Sequence, residues 1–275
     1  MTCTEGRVSM RLALAQIDMV WEEKEKNLKL CEAFIRKSKT KSIDLILFPE
    51  MTLTGFTMNV EEFGEDDNFS LNKMKFYAKK YNIAIGFGHI EKFFLDNKIM
   101  GKNIYSIISN NGEVLINYNK IHPFSFGDES LHYLSGEEIH TCNINNIAIT
   151  PFICYDLRFP EIFQIASKNS HLITVAANWP ESRIDHFKTL IKARAIENQC
   201  YIAGVNRVGK GNELTYNGFS MIVDPLGKEI NSLEDTEGLV IGEIDEKFVN
   251  EVRKNFKVKN DRKEELYLKL FKDMF

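Results

Sequence analysis

Short apolar runs alternate with amphipathic stretches along the whole chain. Residues 12–17 (Leu-Ala-Leu-Ala-Gln-Ile) read as a buried strand. Residues 22–37 read as a helix, because Leu28, Cys31, Phe34 and Ile35 recur at helical spacing among Glu and Lys. Ile43–Phe48 is a second strand, stopped by Pro49. Ser70 can cap a helix whose apolar face is Leu71, Met74, Tyr77, Ala78 and Tyr81, and Ile83–Phe87 follows as a strand.

Residues 103–109 and 113–118 flank Asn110-Asn111-Gly112, which predicts a β-hairpin. Ile147–Ile153 is an apolar strand that runs straight into Cys154. Pro160 suits the first turn of a helix over 160–168. A strand at Leu172–Ala177, a helix at Ile184–Asn198 and a strand at Tyr201–Val205 follow. Ser220–Val223 and Glu229–Asn231 flank the turn Asp224-Pro225-Leu226-Gly227. Leu239–Ile244 is the last strand, and residues 262–274 read as helix. This mixing of elements predicts a layered α/β protein with mixed sheets, since hairpins do not belong to a purely parallel sheet. No GxGxxG follows the first strand and no GxxxxGK[ST] occurs, so neither motif supports nucleotide binding.

Composition narrows the function classes. The 275 residues carry 35 Lys+Arg against 39 Asp+Glu, a net charge of −4, which lacks the basic footprint of a nucleic-acid binder. No stretch is long and apolar enough to span a membrane. The five cysteines are odd in number, widely spaced and free of any CxxC, which excludes a disulfide scaffold or zinc ribbon and fits a reducing cytoplasm. Met1 to Met10 is polar, so residues 1–9 read as an N-terminal extension, with Met10 as an alternative start.

Three strand ends carry chemically capable side chains. Glu50 follows an apolar strand and a proline, Lys120 ends a hairpin strand in Tyr118-Asn119-Lys120-Ile121-His122, and Cys154 stands where a strand meets a turn. A thiol at neutral pH needs a base or a positive neighbour to react. Glu50 can accept its proton, and Lys120 can stabilise a thiolate and then an oxyanion. The backbone N–H of Tyr155 can supply a second oxyanion donor. Together they point to acyl transfer through a thioester. Taken singly, each has a plainer reading, as a solvated acid, a surface lysine and a buried inert thiol.

The segments Leu47-Phe48-Pro49-Glu50, Asn119-Lys120-Ile121-His122 and Cys154-Tyr155-Asp156-Leu157-Arg158-Phe159-Pro160-Glu161 resemble the nitrilase superfamily of carbon–nitrogen hydrolases. The resemblance runs from about residue 11 to about residue 260. It implies a four-layer αββα sandwich with Glu50 as general base, Lys120 as transition-state stabiliser and Cys154 as nucleophile. It also implies that Glu129, in the loop after the lysine, holds Lys120 and helps place the substrate, against the alternative of a solvated loop acid. The implied domain spans 10–250, followed by a tail over 251–275 that is associated with a homodimer or packs on its own core.

Within that superfamily, Tyr155-Asp156 after the cysteine is similar to the amidase branches. The segments 50–59, 128–133, 177–180 and 193–199 resemble the bacterial omega-amidase branch. The implied reaction is hydrolysis of the terminal amide of 2-oxoglutaramate or 2-oxosuccinamate, a small-molecule amide substrate, with release of ammonia. Pro123 departs from the His-Leu-Phe usual after the lysine and touches the loop that borders the pocket. Phe56, Met58, Phe124, Asn178 and Trp179 are the implied acyl-pocket residues, with core packing the alternative for Met58 and the aromatics. Arg158 reads as a buried arginine satisfied by a neighbouring acid, in preference to a substrate-carboxylate partner. Arg194 and Glu197 read as an ion pair three residues apart on a helix. His122 is expected to be structural, and neither a metal nor an organic cofactor is expected. Two other functions stay open: a sister amidase acting on deaminated glutathione, an N-carbamoyl amine or a simple amide, and a catalytically silent binding protein.

Overall fold

Alternation within the first strand decides which layer lies on which side. The computed structural model describes residues 9–274. In β1 (Ser9–Gln16), Met10, Leu12 and Leu14 join a core between two sheets, while Ala13 and Ala15 face a helix layer. That helix layer is α1 (Lys24–Thr40), which turns Leu28, Cys31 and Ile35 inward. β2 (Leu45–Leu47) repeats the pattern, with Leu45 and Leu47 between the sheets and Ile46 under the helices. After the short α2 (Val60–Phe63), α3 (Phe69–Tyr81) completes the layer with Leu71, Met74 and Ala78. Truncating a fully buried leucine such as Leu12 or Leu14 costs about 2–5 kcal/mol in a core of this kind.

The first sheet continues through β3 (Ala84–Leu95), β4 (Lys98–Ile108) and β5 (Val114–Asn119). β1, β2 and β3 are parallel, and β4 and β5 add antiparallel strands. After α4 (Glu129–His132) the chain builds a second sheet from β6 (Cys142–Ile144) and β7 (Ile147–Ile153). It goes on through α5 (Pro160–Ala166), β8 (Leu172–Ala177), α6 (Ile184–Asn198) and β9 (Tyr201–Asn206). Next come β10 (Val208–Gly211), β11 (Leu214–Val223) and β12 (Glu229–Glu234). β7, β8 and β9 are parallel, and the strands flanking them are antiparallel. β13 (Gly238–Asp245) then crosses back and pairs with β1 along its full length, from Ser9↔Asp245 to Gln16↔Gly238. α7 (Glu246–Asn255) and α8 (Glu264–Met274) end the chain.

α5 and α6 cover the outer face of the second sheet, with Phe163 on Phe152 and with Phe187 and Ile191 over Gly204. Helices, sheet, sheet and helices form the four-layer αββα sandwich implied by the resemblance.

Several boundaries differ from the sequence reading. The first strand begins at Ser9 rather than Leu12, so Ser9 belongs to the sheet and only 1–8 of the expected extension, with Cys3, lie outside the described residues. β3 and β4 are much longer than expected, because Asp96 and Asn97 adopt φ of 49° and 62° and close a second hairpin. α3 starts one residue before Ser70, whose N–H and hydroxyl both bond the Glu65 carboxylate. The short strands β6 and β10 and the helix α7 were not foreseen, and α7 runs across the domain limit expected at residue 250.

Candidate active site

Glu50 is placed by a chain that cannot continue as a strand. Pro49 has no N–H for the ladder, and Met51 has φ 44°. The Glu50–Met51 backbone then lies directly over Gly88 of β3. A Cβ on Gly88 would stand 2.3 Å from the Met51 nitrogen, so glycine is required for that approach. Thr52 fixes the contact by donating its N–H to the Gly88 carbonyl at 2.9 Å and accepting the Gly88 N–H at 3.0 Å.

Lys120 follows β5 and donates its backbone N–H to the Asn103 carbonyl on β4 at 2.9 Å. Its ammonium reaches Glu50 Oε1 at 2.8 Å and Glu129 Oε2 at 2.8 Å. All three side chains are buried. Burial pulls the ammonium toward neutrality, but the carboxylates of Glu129 and Glu50 outweigh it and hold Lys120 above the ordinary lysine range. Lys120 is therefore a fixed cation and not a base. Burial pushes the Glu129 carboxyl above the usual carboxylate range against the pull of Lys120. The Phe124 N–H donates to Glu129 Oε2 at 2.6 Å, which ties the loop after the lysine to this acid.

Cys154 stands at the exit of β7 with φ 45°, a left-handed conformation that costs a non-glycine residue about 1–3 kcal/mol. Asp156 over-determines that turn. Its carboxylate accepts from the Ile153 N–H at 3.0 Å, the Tyr118 hydroxyl at 2.8 Å, and the His122 N–H and Nδ1 at 3.0 and 2.8 Å. One buried acid thus locks the cysteine turn to the lysine segment. Arg194 secures the far side by donating twice to the Leu157 carbonyl, and it pairs with Glu197 at 2.9 Å as expected. His122 is spent on Asp156 and stacks on Phe159, centroids 3.7 Å apart. Burial and Glu50 push the Cys154 thiol well above the ordinary range, against the pull of Lys120.

Cys154 and Tyr155 open on a narrow cavity of about 50 Å³. Phe56, Phe124, Asn178 and Trp179 line it. Met58 does not; it packs against the cluster of Met51, Val60, Ile90 and Tyr133. Asn178, at the end of β8, donates its backbone N–H to Glu50 Oε2 at 3.1 Å and its amide to the Glu50 carbonyl at 2.7 Å. The sequence reading did not foresee Arg183, Leu214 and Tyr216 in the wall.

The placement of Arg158 corrects its expected role. It is half-buried and lines the cavity, its guanidinium 4.9 Å from the Trp179 ring centroid and 3.3 Å from His186 Nδ1. Asp156, the nearest acid in sequence, is already filled by the turn it holds. Among the described residues no carboxylate lies within ion-pair distance of Arg158 or of Arg183. Asn103 and Asp156 were also missed. The available signals were a polar residue within the apolar hairpin strand and an acid two residues after the cysteine. Among the described residues no group of three or more His, Cys, Asp or Glu side chains is arranged to hold a metal ion.

Known proteins share this framework. A 2-oxoglutaramate amidase of Bacillus subtilis (strain 168) is 33% identical over 259 residues, covering 93% of this chain and 98% of that protein. The omega-amidase YafV of Yersinia enterocolitica is 34% identical, over 80% of this chain and 83% of its own length. The crystal structure of XC1258 from Xanthomonas campestris is described as a CN-hydrolase superfamily protein with an arsenic adduct in the active site. It matches with a TM-score of 0.84 at 29% identity, covering 92% of this chain and 97% of that one. The family model described as carbon-nitrogen hydrolase spans residues 11–254, nearly all of both sheets and their helices, and the chain belongs to that family.

Proposed function

We propose that the protein is an omega-amidase that hydrolyses the terminal amide of small 2-oxo acid amides, 2-oxoglutaramate and 2-oxosuccinamate, through a thioester on Cys154. The observation that carries this reading is the composition of the cavity. Its wall holds the nucleophile and two guanidiniums, Arg158 and Arg183, and no acid among the described residues. A carboxylate at the far end of the substrate matches those cations, and the small volume suits a short acyl chain. The amidase names of the two relatives support the same reading.

The chemistry follows from the geometry. Glu50 takes the thiol proton as sulfur attacks the amide carbon. The carbonyl electron pair moves onto oxygen, where the Lys120 ammonium and the Tyr155 backbone N–H receive the charge. The tetrahedral adduct collapses, Glu50 returns the proton to the leaving nitrogen, and ammonia departs. A water then attacks the thioester with Glu50 as base, and collapse releases the acid and restores the thiol. Glu129 holds Lys120 in place throughout.

The cytosol is the proposed compartment, because Cys31, Cys142, Cys154 and Cys200 are free thiols. No helix among the described residues is long and apolar enough to cross a membrane. The proposed assembly is a homodimer that uses the α8 face, where Leu266, Leu268, Leu270 and Phe271 are exposed rather than packed on the chain's own core.

A panel of amides tests the substrate. 2-Oxoglutaramate should exceed a neutral aliphatic amide of equal length by about 100-fold in kcat/KM, the scale of one or two charge-assisted hydrogen bonds. Arg158→Met should erase most of that preference. An N-carbamoyl amine that outperforms 2-oxoglutaramate would assign the chain to a sister activity, and no turnover of any amide would favour a silent binding protein.

A further inference from the structure

Two buried carboxylates and one buried lysine leave a question of roles: which carboxylate oxygen takes the thiol proton. The hydrogen bonds answer it oxygen by oxygen. Glu129 Oε1 accepts from Asn103 Nδ2 at 2.9 Å, and Glu129 Oε2 accepts from Lys120 at 2.8 Å and the Phe124 N–H at 2.6 Å. Glu50 Oε1 accepts from Lys120 at 2.8 Å and from Asn103 Nδ2 at 2.8 Å. Glu50 Oε2 keeps only longer contacts, from the Asn178 N–H at 3.1 Å and its amide at 3.4 Å. The same Asn178 N–H also faces the Cys154 sulfur. Of the two Glu50 oxygens, Oε2 is therefore the more weakly bound, and it shares the Asn178 N–H with the Cys154 sulfur.

Asn103 is the common element in this pattern. It lies on β4, is 1% exposed, and its single amide nitrogen bridges both carboxylates. Its carbonyl oxygen is buried without a partner among the described residues. The reversed amide would aim that oxygen at two carboxylates, so the side chain stands there to donate. Its backbone carbonyl holds Lys120 as well.

We propose that Asn103 is a positioning residue that pins Oε1 of Glu50, so that Oε2 faces the thiol and Glu50 rather than Glu129 accepts the proton. This rests on the roles given above to Glu50, Lys120 and Cys154. Asn103 supplies a hydrogen to each acid without adding charge, which favours the ionised form of both. As the S–C bond forms, the S–H proton passes to Oε2 while Oε1 stays bound to Lys120 and Asn103. The groups facing Glu50 are Lys120 after β5, Glu129 on α4, Tyr133 just beyond it, Cys154 after β7 and Tyr216 on β11.

The test is the pH profile of 2-oxoglutaramate hydrolysis by Asn103→Leu and Asn103→Asp, with thermal melting to establish folding. Both variants keep the side-chain size, and either suffices if the other fails to fold. The expected result is a loss of about 100-fold in kcat/KM, in the range of a displaced general base, with KM changed less than about twofold. The acid limb should move to higher pH by about one unit, because a donor that favours the ionised acids is gone. The pH dependence of Cys154 alkylation by iodoacetamide should move with it. A folded variant with the wild-type acid limb overturns the proposal, even if its rate is lower. Cys154→Ala in parallel separates the two readings: if it stays active, the site assignment fails, and if it is inert beside an unshifted Asn103 variant, only the role of Asn103 fails.

Discussion

Lys120 shows how much of this site rests on one charge. It is 1% exposed between Glu50 and Glu129, and no other cation touches either carboxylate among the described residues. Removing one partner of a buried ion pair costs about 3–5 kcal/mol, because the other charge stays buried. Lys120→Met should lose that much stability and about 1000-fold in activity, with the oxyanion left to one donor. The stability loss should depend on pH. Burial already raises the Glu129 carboxyl, and without the cation it holds its proton more tightly in the folded state than in the unfolded chain, so the variant loses stability as pH rises. Denaturant unfolding at pH 5 and pH 7 checks this, with the wider gap from wild type expected at pH 7. Glu50, Lys120 and Cys154 could be singled out because each stands at the end of a strand pattern, and the structure brings Glu50 and Lys120 into contact. Asn103, Asp156 and the cavity position of Arg158 were not legible. Asn103 and Glu50 are 53 positions apart and meet across the strands of one sheet, while Asp156 and Tyr118 are 38 apart and meet only where the two sheets stack.

At the level of elements, short continuous apolar runs carried most of the information. β1, β2, β7, β8 and β9 were legible in place, if not all in length, because each puts apolar side chains on both faces of a covered sheet. α6 matched its expected limits. The failures were elements with weak burial. β10 is four residues long with two of them buried, and β6 is three long with one buried. The distal halves of β3 and β4 run out of the core, where alternation no longer decides anything. α8 was legible as a helix, but its surroundings were not. Leu268 and Phe271 are 62% and 52% exposed, and together with Ile165 of α5 they line a groove of about 780 Å³. A second copy covering this face predicts a dimer by sedimentation. Leu268→Glu with Phe271→Glu should yield a folded monomer whose melting temperature no longer depends on protein concentration. A monomeric wild type, or a variant that remains dimeric, removes α8 from the interface.

At the scale of the whole molecule, the site exists because two sheets meet. Glu50 and Lys120 come from strand ends of the first sheet, and Cys154 and Asn178 come from strand ends of the second. A shared core that includes Leu12, Leu14, Tyr105 and Tyr118 of the first sheet and Phe152 and Ile153 of the second fixes their relative position, and β13 ties the end of the chain back to its first strand. Sequence patterning gives the strands but not the stacking of one sheet on the other, so the meeting of these residues came from the family resemblance and not from spacing. We propose that this meeting makes Cys154 a nucleophile that carries the acyl group. Rapid quenching of the enzyme during turnover of 2-oxoglutaramate, followed by mass analysis of its peptides, tests it most directly. The expected result is a 2-oxoglutaryl adduct on the peptide containing Cys154, labile to hydroxylamine and absent from Cys154→Ala. Ammonia release with no adduct on that peptide, or with the adduct on another residue, would contradict it.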